Sequence, residues 1–255
     1  MENMPKEKSG CYIGLDKEAN DFYSAMNKQS NLTLPPDKIR TNLQRHSKNK
    51  EFIILLESGS LAPPHKMHLG LMEKVKNYFI ENCKTKTVVG GFLIPSSDDY
   101  VKYKLKSDFI PLKHRVAMTK LLVRDSDWLE CLDWGLIDSD EIRICAQKII
   151  NGFFPEYDIK CVLVFGVDYF LRRKKEVSDV CVCVLRPGYD AEEVRKLHPE
   201  KLIFVGGTEE EISSTLLRKA IREKDGKTVG ELTSKEVVMY IEKNDIFQEK
   251  SHFNV

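Results

Sequence analysis

The sequence has almost no net charge: 40 Lys and Arg stand against 39 Asp and Glu over 255 residues, leaving +1. No whole-protein field draws nucleic acid or an anionic membrane to such a chain, so any anion it binds is held by local groups. No run approaches the roughly 20 apolar residues that cross a bilayer, and the opening MENMPKEKSG is charged, so neither a membrane span nor an export signal is expected. Two phosphate-binding signatures are missing: no GKS or GKT follows a glycine-rich turn, and the three glycines of the dinucleotide fingerprint are absent, which disfavours a kinase and a dehydrogenase. Tryptophan is scarce, with 2 in all, and there is no internal repeat. The 7 cysteines are an odd number. Cys145, Cys161, Cys181 and Cys183 lie in apolar runs, which reads as reduced, buried thiols in a cytoplasmic or nuclear protein. Cys181 and Cys183 share one face of a strand, but no second Cys or His pair has metal-site spacing, so no metal site is assigned.

What is present is an alternating pattern. The chain is 42% hydrophobic, enough for a sizeable core in one α/β domain. Residues 1–50 read as a polar N-terminal extension and 51–250 as the domain. FIILLES is a strand, and HLGLMEKVKNYFIEN a helix with Leu71, Val75, Tyr78 and Phe79 on one stripe. TVVGGFLIP, WLECLDW, KCVLVFG, VCVCVLRP and KLIFVGG follow as strands. Between and after them come the helices PLKHRVAMTKLLV, opened by Pro111, and SDEIRICAQKIING, ended by Asn151 and Gly152; SSTLLRKAIREK and TSKEVVMYIEKNDIF close the chain. Near-continuous apolar strands alternating with amphipathic helices predict a parallel sheet with helices on both faces.

In such a sheet ligands bind beyond the carboxyl ends of the strands. The first strand ends in ESGSLAPPHKMH, where Gly59 permits close backbone approach and a helix start with free N–H groups follows. His65 and His68, three residues apart, fall near one side of the first helical turn and suit phosphate oxygens and the charge that develops on them. Two other readings stay open: metal ligands, although HKMH lacks the Glu of HExxH, and ordinary loop histidines. After the last strand, EEEISSTLLRKAIRE places Ser213 or Ser214 as a helix cap with Arg218 one turn in, a second phosphate cradle or a capped surface helix.

Taken together these features resemble the nucleotidylyltransferase superfamily, and within it the eukaryotic type of nicotinamide/nicotinate mononucleotide adenylyltransferase. GSLAPPHKMH is similar to that family's GSFNPxTxxH at Gly59, Ser60, Pro63 and His68. IPSSDDYVKYKL resembles SPVxDAYxKKGL at Pro95, Asp98, Tyr100, Lys102 and Lys104, and PLKHRVAM resembles PAYHRVxM at His114 and Arg115. WLECLDW resembles WVEVDTWE with Trp128 and Trp134 in register, and VLVFGVDYF resembles LLCGADVLESF at Gly166 and Asp168. VLRPG resembles VTRAG at Arg186, and ISSTLLRKAI resembles ISSTKIRRAL.

The resemblance implies a single Rossmann-like nucleotidylyltransferase domain and adenylyl transfer from ATP to a pyridine mononucleotide, with Mg²⁺ assisting and no protein nucleophile. It implies that His68 serves the α-phosphate and His65 its neighbours. Gly59, Ser60, Ser214, Thr215, Leu216, Leu217 and Arg218 would hold ATP phosphates. Lys102 would hold the mononucleotide phosphate, Gly166, Asp168 and Arg186 would line the nucleotide product, and Trp134 would border the pyridine pocket. Homo-oligomers are common in that family, and neither a nucleic-acid nor a membrane partner is implied. The chain departs from the pattern at Leu61 and Ala62, which stand for Phe and Asn, and in lacking the ring-stacking tryptophans; Tyr169 or Phe170 is the substitute. LRRKK reads as a solvated loop or a nuclear signal. A different phosphorylated acceptor and a non-catalytic nucleotide-binding module are the competing readings.

Overall fold

The computed structural model describes residues 32–47, 50–172, 180–186, 189, 191–197, 201–207 and 212–247. Six strands form one sheet in the order β3-β2-β1-β4-β5-β6. They are β1 Glu51–Gly59, β2 Lys86–Pro95, β3 Leu129–Cys131, β4 Ile159–Gly166, β5 Cys181–Val184 and β6 Leu202–Val205. Every neighbouring pair is parallel, as the apolar runs predicted. The order reverses between β1 and β4, which opens a crevice at their carboxyl ends.

The central strand shows why the run FIILL is continuously apolar. Phe52, Ile54 and Leu56 point to one core with Ile142, Ala146 and Ile150, while Ile53 and Leu55 point to another with Met72, Val75 and Phe79. The first core is roofed by α1 (Asp37–Leu43) and α5 (Ser139–Phe153), the second by α2 (Lys66–Asn82) and α4 (Leu112–Leu122). Helix α5 runs through Asn151 and Gly152 to Phe153, one turn's worth of evidence that a glycine facing open space interrupts nothing. Gly91 is required by a different constraint, since a Cβ there would lie 2.7 Å from the Trp128 ring.

The remaining helices are short: α3 Asp98–Leu105, α6 Val167–Arg172, α7 Ala191–Leu197, α8 Ser214–Arg222, α9 Gly226–Leu232 and α10 Lys235–Lys243. The closing segment thus holds three helices where the sequence suggested two. Residues 34–47, read as part of a polar extension, pack on the sheet. Ile39 and Leu43 are each 2% exposed in the first core, and buried Asn42 donates to the carbonyls of Val89 and Asp127. The rest of the extension, residues 1–31, lies outside the described residues, as does most of the LRRKK run.

If α1 is integral, Ile39→Ala leaves a cavity over β2 and lowers the unfolding free energy by about 2–5 kcal/mol, read by urea denaturation; an unchanged midpoint would show α1 to be undocked.

Candidate active site

At the switch point lies a cavity of about 530 Å³, within the ordinary range for a small-molecule site. Its walls come from the end of β1, the loop into α2, the start of α3, the end of β4, Arg186 and the start of α8. A larger cavity of about 790 Å³ sits at the opposite ends of the strands, around Glu51, Lys86 and Ile159. It is lined by no histidine and lies away from every helix start named above, so the chemistry belongs to the smaller one.

The loop Ser60–Pro64 is built under a constraint. Pro63 and Pro64 have no N–H, and residues 61–65 are all buried, so their carbonyls need donors from elsewhere. Side chains far along the chain supply them: Arg115 donates to Ser60 O, Arg218 to Ala62 O, Ser214 to Pro63 O and Thr233 to Pro64 O. Leu61 is held at φ 46°, a left-handed conformation uncommon for a bulky residue. Arg115 is fully buried and also binds Ile110 O, Ser96 O and Asp98 Oδ1, which ties the ends of β1 and β2 to the starts of α3 and α4.

The clamped loop delivers the two histidines. His65 is the residue before α2 and His68 lies in its first turn; their rings stack at 4.0 Å and 27°. His68 Nδ1 lies 2.7 Å from Glu57 Oε1. His65 Nδ1, His68 Nε2 and Glu57 Oε2 are buried without a protein partner. Burial, then the neighbouring His68 and Arg186, push His65 down to about 2, so its ring is neutral. His114, which matched a motif, turns instead to the Tyr240 hydroxyl.

Across the cavity, Ser213 caps α8 by accepting the Leu216 N–H, and Leu217 N–H goes to Ser213 O. The backbone donors of Leu216 and Leu217 are therefore spent on the helix itself, Leu217 is core, and the two residues do not line the cavity; Ser214 and Thr215 do. Arg218 donates to Asp108, Ala62 O and Thr215 Oγ1. Arg222 joins the same carboxylate; burial opposes ionisation of Asp108, but the two arginines hold it below the usual carboxylate range.

Gly166 ends β4 where a Cβ would lie 2.8 Å from Asp168 Oδ1, with Arg186 Nη2 3.7 Å from that oxygen. The structure thus brings together His65, His68, Gly59, Ser60, Ser214, Thr215, Arg218, Gly166, Asp168 and Arg186. It does not bring Lys102, which is exposed on α3 outside the cavity; Lys104 lines it instead, with Nζ 3.1 Å from Ser60 Oγ. Two residues apart on a helix means nearly opposite faces, so only one of the two lysines can point inward. Trp134 leans on the first core and does not line the cavity, and Phe170 is buried in that core. Tyr169 does line it, its ring stacked on Phe165 at 3.8 Å and its hydroxyl 3.0 Å from Ser139 Oγ. Among the lining residues to which the sequence reading gave no role are Glu57, and Lys104, which it matched to a motif without assigning it.

The cytidylyltransferase-like family model matches residues 58–220, from the end of β1 into α8. The chain is similar to the nicotinamide/nicotinic acid mononucleotide adenylyltransferase of Arabidopsis thaliana, 26% identical over 242 residues covering 85% of this chain and 98% of that protein. It is also similar to nicotinamide/nicotinic acid mononucleotide adenylyltransferase 1 of Bos taurus, at 24% identity with 79% and 91% covered. Among solved structures, the fold is like that of Plasmodium falciparum nicotinic acid mononucleotide adenylyltransferase complexed with NaAD, with a TM-score of 0.54 at 16% identity and 77% and 97% covered.

A histidine buried in its neutral form resists protonation that the unfolded chain accepts below about pH 6.5. The contribution of His65 to stability is therefore complete above that pH and declines as pH falls toward about 2. The acid loss of unfolding free energy between about pH 7 and 4.5 is expected to be smaller in His65→Asn than in the wild type; equal losses would mean that His65 is not held neutral.

Proposed function

We propose the reaction from one premise: the chain belongs to the cytidylyltransferase-like family. Its activity is adenylyl transfer from ATP to nicotinamide or nicotinate mononucleotide, giving NAD or its deamido form and pyrophosphate. The observation that carries this reading is the pairing, in one cavity at the switch point, of stacked His65 and His68 with the phosphate-cradling start of α8. The names of the Arabidopsis and bovine relatives support the mononucleotide as acceptor.

The chemistry is an in-line attack by a mononucleotide phosphate oxygen on the α-phosphorus of ATP, with pyrophosphate leaving. No protein nucleophile takes part, so positioning and charge stabilisation carry the rate. His68 Nε2 serves the α-phosphate and His65 the adjoining oxygens. Ser214, Thr215 and Arg218 take the β- and γ-phosphates, where α8 adds its positive dipole end. Gly166, Asp168 and Arg186 line the ribose side. The Tyr169 ring, fixed by Phe165 and Ser139, supports an aromatic acceptor in place of the missing tryptophans. Among the described residues no group of three His, Cys, Asp or Glu is arranged to hold a metal ion. Asp168 and the α8 hydroxyls in the cavity would suit a hard cation that enters with the ATP phosphates. Such an ion supplies neutralisation of the leaving pyrophosphate.

Cys83, Cys131, Cys145, Cys161 and Cys183 are free thiols, and burial pushes Cys131, Cys161 and Cys183 up to about 12, which supports a reducing compartment, the cytoplasm or nucleus. No helix among the described residues is long and apolar enough to cross a membrane.

Incubation with ATP, Mg²⁺ and each mononucleotide is expected to release pyrophosphate and yield the dinucleotide by mass, and His68→Ala to slow turnover about 100-fold. Turnover only with a different phosphorylated acceptor would reassign the substrate, and ATP binding without turnover would make the protein a non-catalytic nucleotide binder. Lys104 holds the mononucleotide phosphate with Ser60. Lys104→Ala is expected to raise the mononucleotide KM about tenfold, the loss of one charge-assisted hydrogen bond, and Lys102→Ala to raise it less; the reverse order would return the role to Lys102.

A further inference from the structure

Glu57 is an acidic residue at the end of an otherwise apolar central strand, 7% exposed, with a single hydrogen-bond partner. We propose that Glu57 is a positioning residue that makes His68, not His65, the charged imidazole of the stacked pair and aims its Nε2–H into the cavity. The role in catalysis rests on the adenylyl-transfer reading; the charge assignment does not.

An ionised carboxylate only accepts, so the 2.7 Å contact fixes a proton on His68 Nδ1. That leaves Nε2 as the nitrogen facing the cavity, buried and without a protein partner. In a neutral ring protonated at Nδ1, Nε2 is a lone pair and would oppose the lone pairs of a phosphate oxygen. It becomes a donor only when the ring carries both protons, and the Glu57 carboxylate is the charge that compensates this state.

The second ring makes the assignment asymmetric. Two imidazolium rings stacked at 4.0 Å would repel each other, so the pair carries one charge at most cost-free. Arg186, reaching in from the loop after β5, and burial both act against a proton on His65. Asp168, from the start of α6, is occupied with Arg186. Glu57 from β1 is the carboxylate in hydrogen-bond contact with the pair. The stacked rings therefore form a polarised unit: one cationic donor oriented from behind, one neutral ring beside it. Orienting partners of this kind, a carboxylate on the far nitrogen of a working histidine, typically contribute 10–100-fold where they hold metal ligands, about the range expected here.

The test compares wild type, Glu57→Gln, His68→Ala and the double variant, with thermal unfolding as a check on folding. Gln keeps an acceptor for Nδ1–H and removes the charge. Glu57→Gln is expected to lower kcat about 10–100-fold with the KM for ATP within about threefold, and to cost little further in the His68→Ala background. Wild-type kcat in Glu57→Gln, or equal losses with and without His68, would overturn the proposal. NMR of ¹⁵N-histidine-labelled protein at about pH 6.5, with His68 assigned by its loss in His68→Ala, reads the charge without any substrate. The charged fraction of His68 is expected to exceed that of His65 and to fall in Glu57→Gln; no change would overturn the proposal. A wild type that makes no dinucleotide would remove the reaction assignment, while the NMR comparison would still decide the role of Glu57.

Discussion

Buried carbonyls without neighbouring donors are the constraint on which this site depends. The two prolines of SLAPPH remove backbone N–H groups from a buried loop, and an unpaired buried carbonyl costs about 1–3 kcal/mol. Arg115, Ser214, Arg218 and Thr233 answer with side-chain donors, three of them from the closing helices. The loop conformation is thus set by the elements that also form the opposite wall of the cavity. A single set of hydrogen bonds fixes the histidines at one side and the α8 start at the other.

Four donors around the site share a second property. Arg115 pairs with Asp98, Arg218 with Asp108, Arg186 with Asp168 and His68 with Glu57. Each of these donors is held by a carboxylate, which restricts its rotamers before any ligand arrives. Donors already in place need no reorganisation as charge develops, and that is where such a site gains most of its rate. It also explains why the balance of +1 over the chain is compatible with binding two phosphorylated substrates: the positive groups are local, each with its own counter-charge beside it.

The sheet was legible in the sequence because a strand buried on both faces, such as FIILL, leaves an apolar run that few other structures require. The helices α1, α3, α6 and α9 were not. Each has 8 residues or fewer, too short to show a period, and is held by contacts such as Ile39 in the first core or Asp98 on Arg115 and Leu112 N–H. Within the site, His65, His68 and Ser214 to Arg218 stood out because helix starts have recognisable chemistry. Glu57 did not, since a carboxylate at the end of a strand reads as its solvent-facing boundary. The motif match covered both Lys102 and Lys104 and the role went to Lys102; helical geometry turns Lys104 toward the cavity.

The clamp on the SLAPPH loop also has a temporal side. Its donors lie 55 to 169 residues downstream of the carbonyls they bind. During synthesis, β1 and the histidine loop leave the ribosome long before Ser214, Arg218 and Thr233 exist. Long-range closures of this kind form late, so the loop acquires its bound shape only after α8 and α9 have been made. A nascent or truncated chain can assemble the central strands while its nucleotide cleft is still unformed, and competence for substrate becomes a property of the finished polypeptide.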